Sequence, residues 1–144
     1  MSTNTTEHLG LSQWLPTDPV LREDFNRDNA ALDAACAAIP LMAVGSYTGD
    51  GSSGSSAPTS LTFDFCPQLI LISPDSRTTL RSGAIFVRGQ TKFNGLGFFS
   101  TSTEGLQLSL TWGDNSVSWY GGSPEEQFNG PGTAYSYFAL GTRI

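Results

Sequence analysis

The segment from residue 106 to residue 120 constrains the fold of this chain more than any other part of the sequence. Leu106, Leu108, Leu110 and Trp112 alternate with polar residues, and, after a turn at 113–115, Val117 and the pair Trp119 and Tyr120 follow. Because successive side chains of a strand point to opposite faces, this period of two predicts a β-hairpin with one buried face.

Other short apolar segments extend the β pattern over residues 41–144. Leu61, Phe63 and Phe65 alternate with polar residues and predict a half-buried strand, while the continuous apolar run at 69–72 predicts a strand covered on both faces. Further strands are predicted at 84–87 and 134–139. Short strands separated by turns, with no helical pattern between them, indicate a mainly β fold: an antiparallel, jelly-roll-like β-sandwich head domain.

The first 40 residues have a different character. Residues 1–16 lack periodicity and predict an arm that becomes ordered only against another surface, with Trp14 as its attachment anchor. Asp18 and Pro19 supply an N-cap and a first-turn proline, and Pro40 ends the segment, so a helix is predicted from about Pro19 to Ile39. We therefore divide the chain into an attachment and oligomerisation segment, 1–40, and a head domain, 41–144.

The apolar stripe of this helix is narrow. Phe25, Leu32 and Ile39 are spaced by seven residues, Leu21 lies in the second heptad position, and alanines surround them. Such a stripe needs a partner surface, which is either the β domain of the same chain or the same helix in a homotrimer. In the second case polar side chains would fix the register of the helices. The predicted oligomerisation residues are Leu21, Phe25, Asn26, Asn29, Leu32 and Ile39.

Charge and composition exclude several classes of protein. With 13 Asp and Glu against 7 Lys and Arg, the net charge is −6, and no basic cluster is available for nucleic-acid phosphates or anionic membranes. No apolar run of about 18 residues predicts membrane insertion, and the polar N-terminus lacks a signal peptide, so we expect synthesis in the cytoplasm. Cys36 and Cys66 fit neither a zinc site nor a disulfide framework, and no cofactor or metal is predicted.

The sequence also lacks a recognisable catalytic constellation. The single histidine, His8, lies in the polar arm, and no nucleophile-elbow motif precedes a helix. Glu125 and Glu126 are the one adjacent pair of acids in the β region, and they fit a solvated turn after Pro124. The chain is therefore predicted not to be an enzyme, with a glycan depolymerase kept as a remote alternative.

Aromatic and polar residues near the hairpin turn suggest a carbohydrate site. Flat aromatic rings stack on sugars, while amides and carboxylates bind their hydroxyl groups. The hypothetical glycan-binding residues are Trp112, Asn115, Trp119, Tyr120, Glu125 and Gln127. The alternation also places Trp112 on the face of Leu110, so a core position for at least one tryptophan is the competing interpretation.

Three segments carry a resemblance to a known group of proteins. Residues 14–33 contain the pattern D-F-N-x-D-N at 24–29, residues 45–51 and 63–72 contain a Y-T-G-D-G turn and a following apolar strand, and residues 132–139 read G-T-A-Y-S-Y-F-A. They resemble tail-fibre-like, baseplate-associated proteins of phages and prophages of Gram-positive gut bacteria. Residues 73–105 are unmatched, and Asp64 stands where that pattern has glycine.

The resemblance implies a virion structural protein. It would be a receptor-binding tail-fibre subunit, a homotrimer attached through its N-terminal part to other tail or baseplate proteins, with the β domain facing the host surface and possible contact with a surface glycan. The implied location is the virion, and no catalytic residue is carried over. The alternatives are a lectin-like carbohydrate-binding module and a capsid or tail decoration protein that binds no receptor.

Overall fold

The computed structural model describes residues 1–75, 83–95 and 106–144. The chain divides into two compact units, Met1–Pro40 and Leu41–Ile144. The boundary lies where the alanine-rich segment gives way to the period-two pattern.

The N-terminal arm has structure of its own, which differs from the sequence prediction. Strands β1 (Asn4–Thr5) and β2 (Ser12–Gln13) pair antiparallel, and the Thr6 amide donates to the carbonyl of Leu11 at 2.8 Å. The amide of Ser12 donates to the carboxylate of Asp28 in the following helix at 2.8 Å. The arm is therefore ordered against its own chain.

Helix α1 spans Arg22–Ala38 and begins later than the sequence predicted. Asp18 does not cap it: its carboxylate accepts hydrogen bonds from the amides of Thr3 and Leu15, both at 2.9 Å, and from the Thr3 hydroxyl. These bonds, led by the one from the Thr3 side chain, hold the pKa of Asp18 below its usual value. The N-cap position is Leu21, which provides no side-chain cap. The helix ends before Pro40, as predicted.

Eight strands form the second unit among the described residues. They are β3 (Leu41–Thr48), β4 (Thr59–Thr62), β5 (Cys66–Pro74), β6 (Ala84–Val87), β7 (Lys92–Gly95), β8 (Leu106–Trp112), β9 (Ser116–Tyr120) and β10 (Ala134–Thr142). Two antiparallel four-stranded sheets result, with strand orders β3-β10-β5-β6 and β4-β9-β8-β7. They pack as a sandwich, so the predicted fold class is confirmed.

In each sheet a strand from the beginning of the unit pairs with a strand from its end. The first strand of the unit, β3, pairs with the last, β10, and the second, β4, pairs with the last but one, β9, as in a jelly roll. Of the remaining pairs, β5–β6, β7–β8 and β8–β9 join chain neighbours, whereas β5 also pairs with β10. The predicted hairpin of β8 and β9 is confirmed, with Trp112 opposite Val117.

The core lies between the two sheets. Its members are Ile70, Ile72, Ala84, Phe86, Tyr135 and Ala139 from one sheet, and Leu108, Leu110, Val117 and Trp119 from the other. Phe63 and Phe65 are also buried there, although they lie beyond the end of β4 and not in the strand that was predicted for them. The packing of large aromatic side chains against aliphatic ones provides most of the apolar burial of this small unit.

The prediction that the 69–72 run is covered on both faces is wrong for the single chain. Ile70 and Ile72 point into the core, whereas Leu71 lies on the outer face of its sheet and remains 36% exposed. No described element of the Leu41–Ile144 unit covers the apolar residues on that outer face.

Candidate functional site

Trp119 is a core residue, which corrects its assignment to a glycan site. Its side chain is 0% exposed, and its indole Nε1 donates to the carbonyl of Gln127 at 2.7 Å. Its ring lies 5.2 Å from that of Phe86 and 6.5 Å from that of Tyr47, between centroids. A ring enclosed in this way cannot stack on a sugar.

Gln127 is also buried, so its predicted contact with a ligand is wrong. Its amide Nε2 donates to the carbonyl of Ala57 at 2.7 Å and to the hydroxyl of Thr59 at 3.0 Å. Its Oε1 accepts from the amides of Gly54 at 2.9 Å and Gly121 at 3.2 Å. This side chain therefore joins the loop at 51–58 to the loop at 121–132.

A second polar cluster holds the same two loops together. The amide of Asn129 donates to the carboxylate of Asp50 at 2.6 Å, and the backbone amide of Asp50 donates back to the Asn129 side chain at 3.1 Å. Hydrogen bonds from Ser52 and Asn129 hold the pKa of Asp50 below its usual value. Near them, the buried hydroxyl of Tyr47 donates to the carbonyl of Phe128 at 2.7 Å, and burial raises its pKa. The loops are fixed by polar contacts rather than left open for a ligand.

The remaining hairpin residues are dispersed. Trp112 is half-buried, donates from Nε1 to the carbonyl of Gln90 at 2.9 Å, and has the guanidinium of Arg88 5.8 Å from its ring centre. Asn115 lies in the β8–β9 turn, and its carbonyl accepts from the amide of Phe63 at 2.9 Å. Glu125 is exposed in the loop that follows β9. The structure does not bring the predicted set together as one site.

Tyr120 does line a surface depression. The depression has a volume of about 250 Å³ and is lined by Gly54, Ser55, Lys92, Gln107, Leu108, Ser109, Tyr120, Gly121 and Gly122. The strand register places Tyr120 opposite Ser109, and Ser109 opposite Lys92, in one row across the outer face of the sheet. A half-buried phenol, an ammonium group, hydroxyls and an amide border this space, which suits hydrogen bonding to a polar ligand.

The outer face around that depression is polar. Ser60 lies opposite Ser118, which lies opposite Thr111, and Thr62 lies opposite Ser116. The sequence had indicated outward polar positions on β8 but had not connected them to Tyr120, Lys92 or β4. Only the strand pairing brings these residues onto one surface.

The apolar stripe of α1 is exposed in the single chain. Phe25 is 49% exposed and Leu32 41%, and Asn26 and Asn29 beside them are also exposed. Leu21 and Ile39, which were predicted to lie on the helical stripe, are exposed too, but they flank the helix at its N-cap and C-cap positions in extended conformation. The indole of Trp14, the predicted attachment anchor, lies against Phe25 with ring centres 5.1 Å apart. Trp14 therefore extends the stripe by joining the arm to the helix.

Two further observations bear on function. In residues 1–75, 83–95 and 106–144, no three His, Cys, Asp or Glu side chains are grouped so that they could hold a metal ion. In the same residues, no helix has the length and the apolar content needed to cross a membrane.

Comparison with known proteins gives no relative: no family model, no curated protein and no solved structure matches the chain.

Proposed function

We propose that this chain is a non-catalytic structural subunit of a phage tail or tail-like particle. It assembles with copies of itself through α1, as a homotrimer, and its β domain faces the host cell surface. The observation that carries the proposal is the exposed apolar stripe of α1, which lies in the segment that resembles tail-fibre-like proteins. The proposal assigns no catalytic residue and no cofactor.

The physical support comes from the cost of leaving this stripe in water. Phe25 and Leu32 lie seven residues apart on one helix of 17 residues, and Ile39, at the same spacing, follows directly after its last residue. Burial of such side chains contributes roughly 25 cal/mol per Å² of apolar area toward association of copies along the stripe. Asn26 and Asn29 beside it are exposed and able to fix the register of the helices by hydrogen bonding.

In this function the two ends of the chain have different partners. The arm and α1 contact copies of the chain and other tail or baseplate proteins, and the β domain contacts the receptor. The location is the assembled virion or tail-like particle.

The proposal predicts that an antibody against the full chain labels particles released after prophage induction of the source bacterium. Immunogold electron microscopy should place the label at the distal tail, and particles from a strain that lacks the gene are the matched control. Label on the capsid would instead support the alternative that the chain is a capsid decoration protein. Absence of the chain from purified particles, with the chain present in the lysate, would contradict the proposal.

A second candidate function is glycan binding at the depression beside Tyr120. The specific observation in its favour is the row of Tyr120, Ser109 and Lys92, which combines an aromatic ring with hydrogen-bonding groups on a polar sheet face. This function is compatible with the first, because a receptor-binding subunit needs a surface of this kind. It uses Tyr120, whereas Trp119 and Gln127 serve the fold.

The glycan hypothesis predicts that Tyr120→Ala weakens binding to any glycan identified on an array by about tenfold, which corresponds to about 1.4 kcal/mol. Tyr120→Phe keeps the ring and is the matched control, which should bind within a few-fold of the wild type. Isothermal titration with the isolated glycan provides the measurement. If Tyr120→Ala and the wild type bind the glycan with equal affinity, the depression beside Tyr120 is not the binding site.

A further inference from the structure

The outer face of the β3-β10-β5-β6 sheet is apolar over two complete rows. Strand pairing places Val44, Phe138, Leu71 and Ile85 side by side in one row. The neighbouring row consists of Met42, Leu140, Leu69 and Val87. We name these eight residues the apolar sheet face.

Several members of the apolar sheet face are strongly exposed in the single chain. Val44 is 80% exposed, Met42 67% and Val87 45%, and the other members are partly exposed. The opposite sheet has serine, threonine and other polar side chains at its outer positions. The two outer faces of the sandwich therefore differ in chemistry, and only one of them suits contact with water.

The sequence pattern of this sheet is that of strands buried on both sides. The continuous apolar runs at 41–44, 69–72 and 84–87 are typical of strands with a layer packed on each face. The core covers the inner face, but no described element of the Leu41–Ile144 unit covers the outer one. A further layer supplied from outside this unit accounts for both the pattern and the exposure.

We propose that this outer layer is the same face of further copies of the chain, so that the apolar sheet face is a self-association surface. The proposal deepens the proposed function and rests in part on it, because copies joined through α1 are held at high effective concentration. Only Ile39 and Pro40 separate the end of α1 at Ala38 from the start of β3 at Leu41. Association of the helices therefore brings the β3 strands of different copies within a short tether of one another.

The area of the apolar sheet face suits the centre of an interface with another copy of the chain. Four strands spaced about 4.8 Å apart and two rows about 6.8 Å apart give an apolar patch of roughly 260 Å², the size of an interface centre and not of a whole interface. A stable interface buries about 800 Å² per partner, with an apolar centre and a polar rim. The uncharged row of Ser46, Ser136 and Ser73 adjoins the patch and provides part of such a rim.

Charge also favours a second copy. The chain has a net charge of −6, yet none of the eight side chains of the apolar sheet face is ionisable. Two such faces meet without repulsion between like charges and without desolvating a charged group. The apolar sheet face contains a depression of about 410 Å³, lined in part by Val44, Phe138, Leu71 and Ile85. An apolar side chain of another copy can insert into it.

The test is the mass of the full chain in solution, measured by size-exclusion chromatography with light scattering. The wild type should have a multiple of the 15.3 kDa chain mass. Val44→Glu and Met42→Glu should raise the dissociation constant by about tenfold or more, because each buries a charge without a partner. Ser60→Glu is the matched control: it adds the same charge at an exposed position on an edge strand of the other sheet and should leave the mass unchanged.

Leu32→Asp on α1 tests the helix interface of the proposed function independently of the sheet interface. A mass lowered by Leu32→Asp but not by Val44→Glu or Met42→Glu would overturn the sheet interface and leave the helix interface standing. The opposite result would support the sheet interface and count against the helix. A wild type with the mass of one chain would overturn both.

Cross-linking identifies the contact directly. With Cys36 and Cys66 replaced by serine, a short thiol cross-linker should join Val44→Cys to the same position of another copy, and Ser60→Cys, on the other sheet, should give no such product. Near-UV circular dichroism checks that each variant is folded, and Val44→Ser replaces Val44→Glu if that variant is not. Equal cross-linking at both positions would contradict the proposal.

Discussion

Replacement of Trp119 by alanine is expected to lower the free energy of unfolding by about 3 to 5 kcal/mol. The indole is fully buried between the two sheets, in contact with the rings of Phe86 and Tyr47. Its removal leaves a cavity at the centre of the sandwich, because residues of both sheets surround it and can collapse only in part. It also leaves the carbonyl of Gln127 without its hydrogen-bond donor.

Urea denaturation followed by far-UV circular dichroism measures this loss. Trp119→Phe should lose less than the alanine variant, because a second aromatic ring refills part of the space. Tyr120→Ala, at the adjacent but outward position, is the control and should lose less than either. A Trp119→Ala chain with wild-type stability would return Trp119 to the surface and restore it to the glycan hypothesis.

The contrast between these neighbouring residues shows what the sequence could predict. Alternation identified β8 and β9 as a hairpin and required one of Trp119 and Tyr120 to point inward. The spacing of two from Val117 puts Trp119 on the face of that apolar residue and Tyr120 on the face of Ser118, a signal that the glycan assignment overlooked. Strand pairing confirms the placement: Leu110, a core residue, lies opposite Trp119, and Ser109 lies opposite Tyr120.

The start of α1 shows a second limit. Asp18 and Pro19 have the residue types of a helix N-terminus, and a local rule therefore placed the helix there. In the structure the carboxylate of Asp18 instead accepts hydrogen bonds from Thr3, 15 residues earlier in the chain. A side chain with several possible donors binds those that the tertiary structure brings to it, and local sequence does not contain that information.

The apolar sheet face was not predicted as a surface for a related reason. The run at 69–72 correctly indicated a strand with two apolar faces, but the sequence alone placed both in the interior of one chain. Strand order then shows that only one face meets the core, and that Val44 and Phe138 adjoin Leu71 on the other. The pattern therefore indicated an apolar outer face, and the topology shows that no described sheet of the same sandwich covers it.

Gln127 is the residue whose role depends most on long-range contacts, and its replacement gives the second large expected effect. All four hydrogen-bonding positions of its buried amide are occupied, by Gly54, Ala57, Thr59 and Gly121. Gln127→Leu has a similar size but removes every one of these bonds. Since each buried group left without a partner costs about 1 to 3 kcal/mol, we expect a total loss of about 3 kcal/mol or more in unfolding free energy.

Gln127→Glu keeps the acceptor oxygen of this side chain and replaces its donor nitrogen. The stability lost in this variant therefore depends on pH. The introduced carboxyl keeps the acceptors for Gly54 and Gly121 but, when ionised, cannot donate to the carbonyl of Ala57. Burial in the folded state raises its pKa above the unfolded value of about 4.3. The variant is thus closest to wild-type stability below that value, where it is protonated in both states, and loses stability as the pH rises through the folded pKa.

Urea denaturation at pH 4 and pH 7, each relative to the wild type at the same pH, should show the larger loss for Gln127→Glu at pH 7. Glu125→Gln, an exposed change of the reverse kind in the same loop, should stay within about 0.5 kcal/mol of the wild type. Losses from Gln127→Glu that are equal at the two pH values, together with a near-neutral Gln127→Leu, would mean that the amide does not hold the loops at 51–58 and 121–132. Those loops would then be free to open toward a ligand, and the rigid polar connection described for them would be wrong.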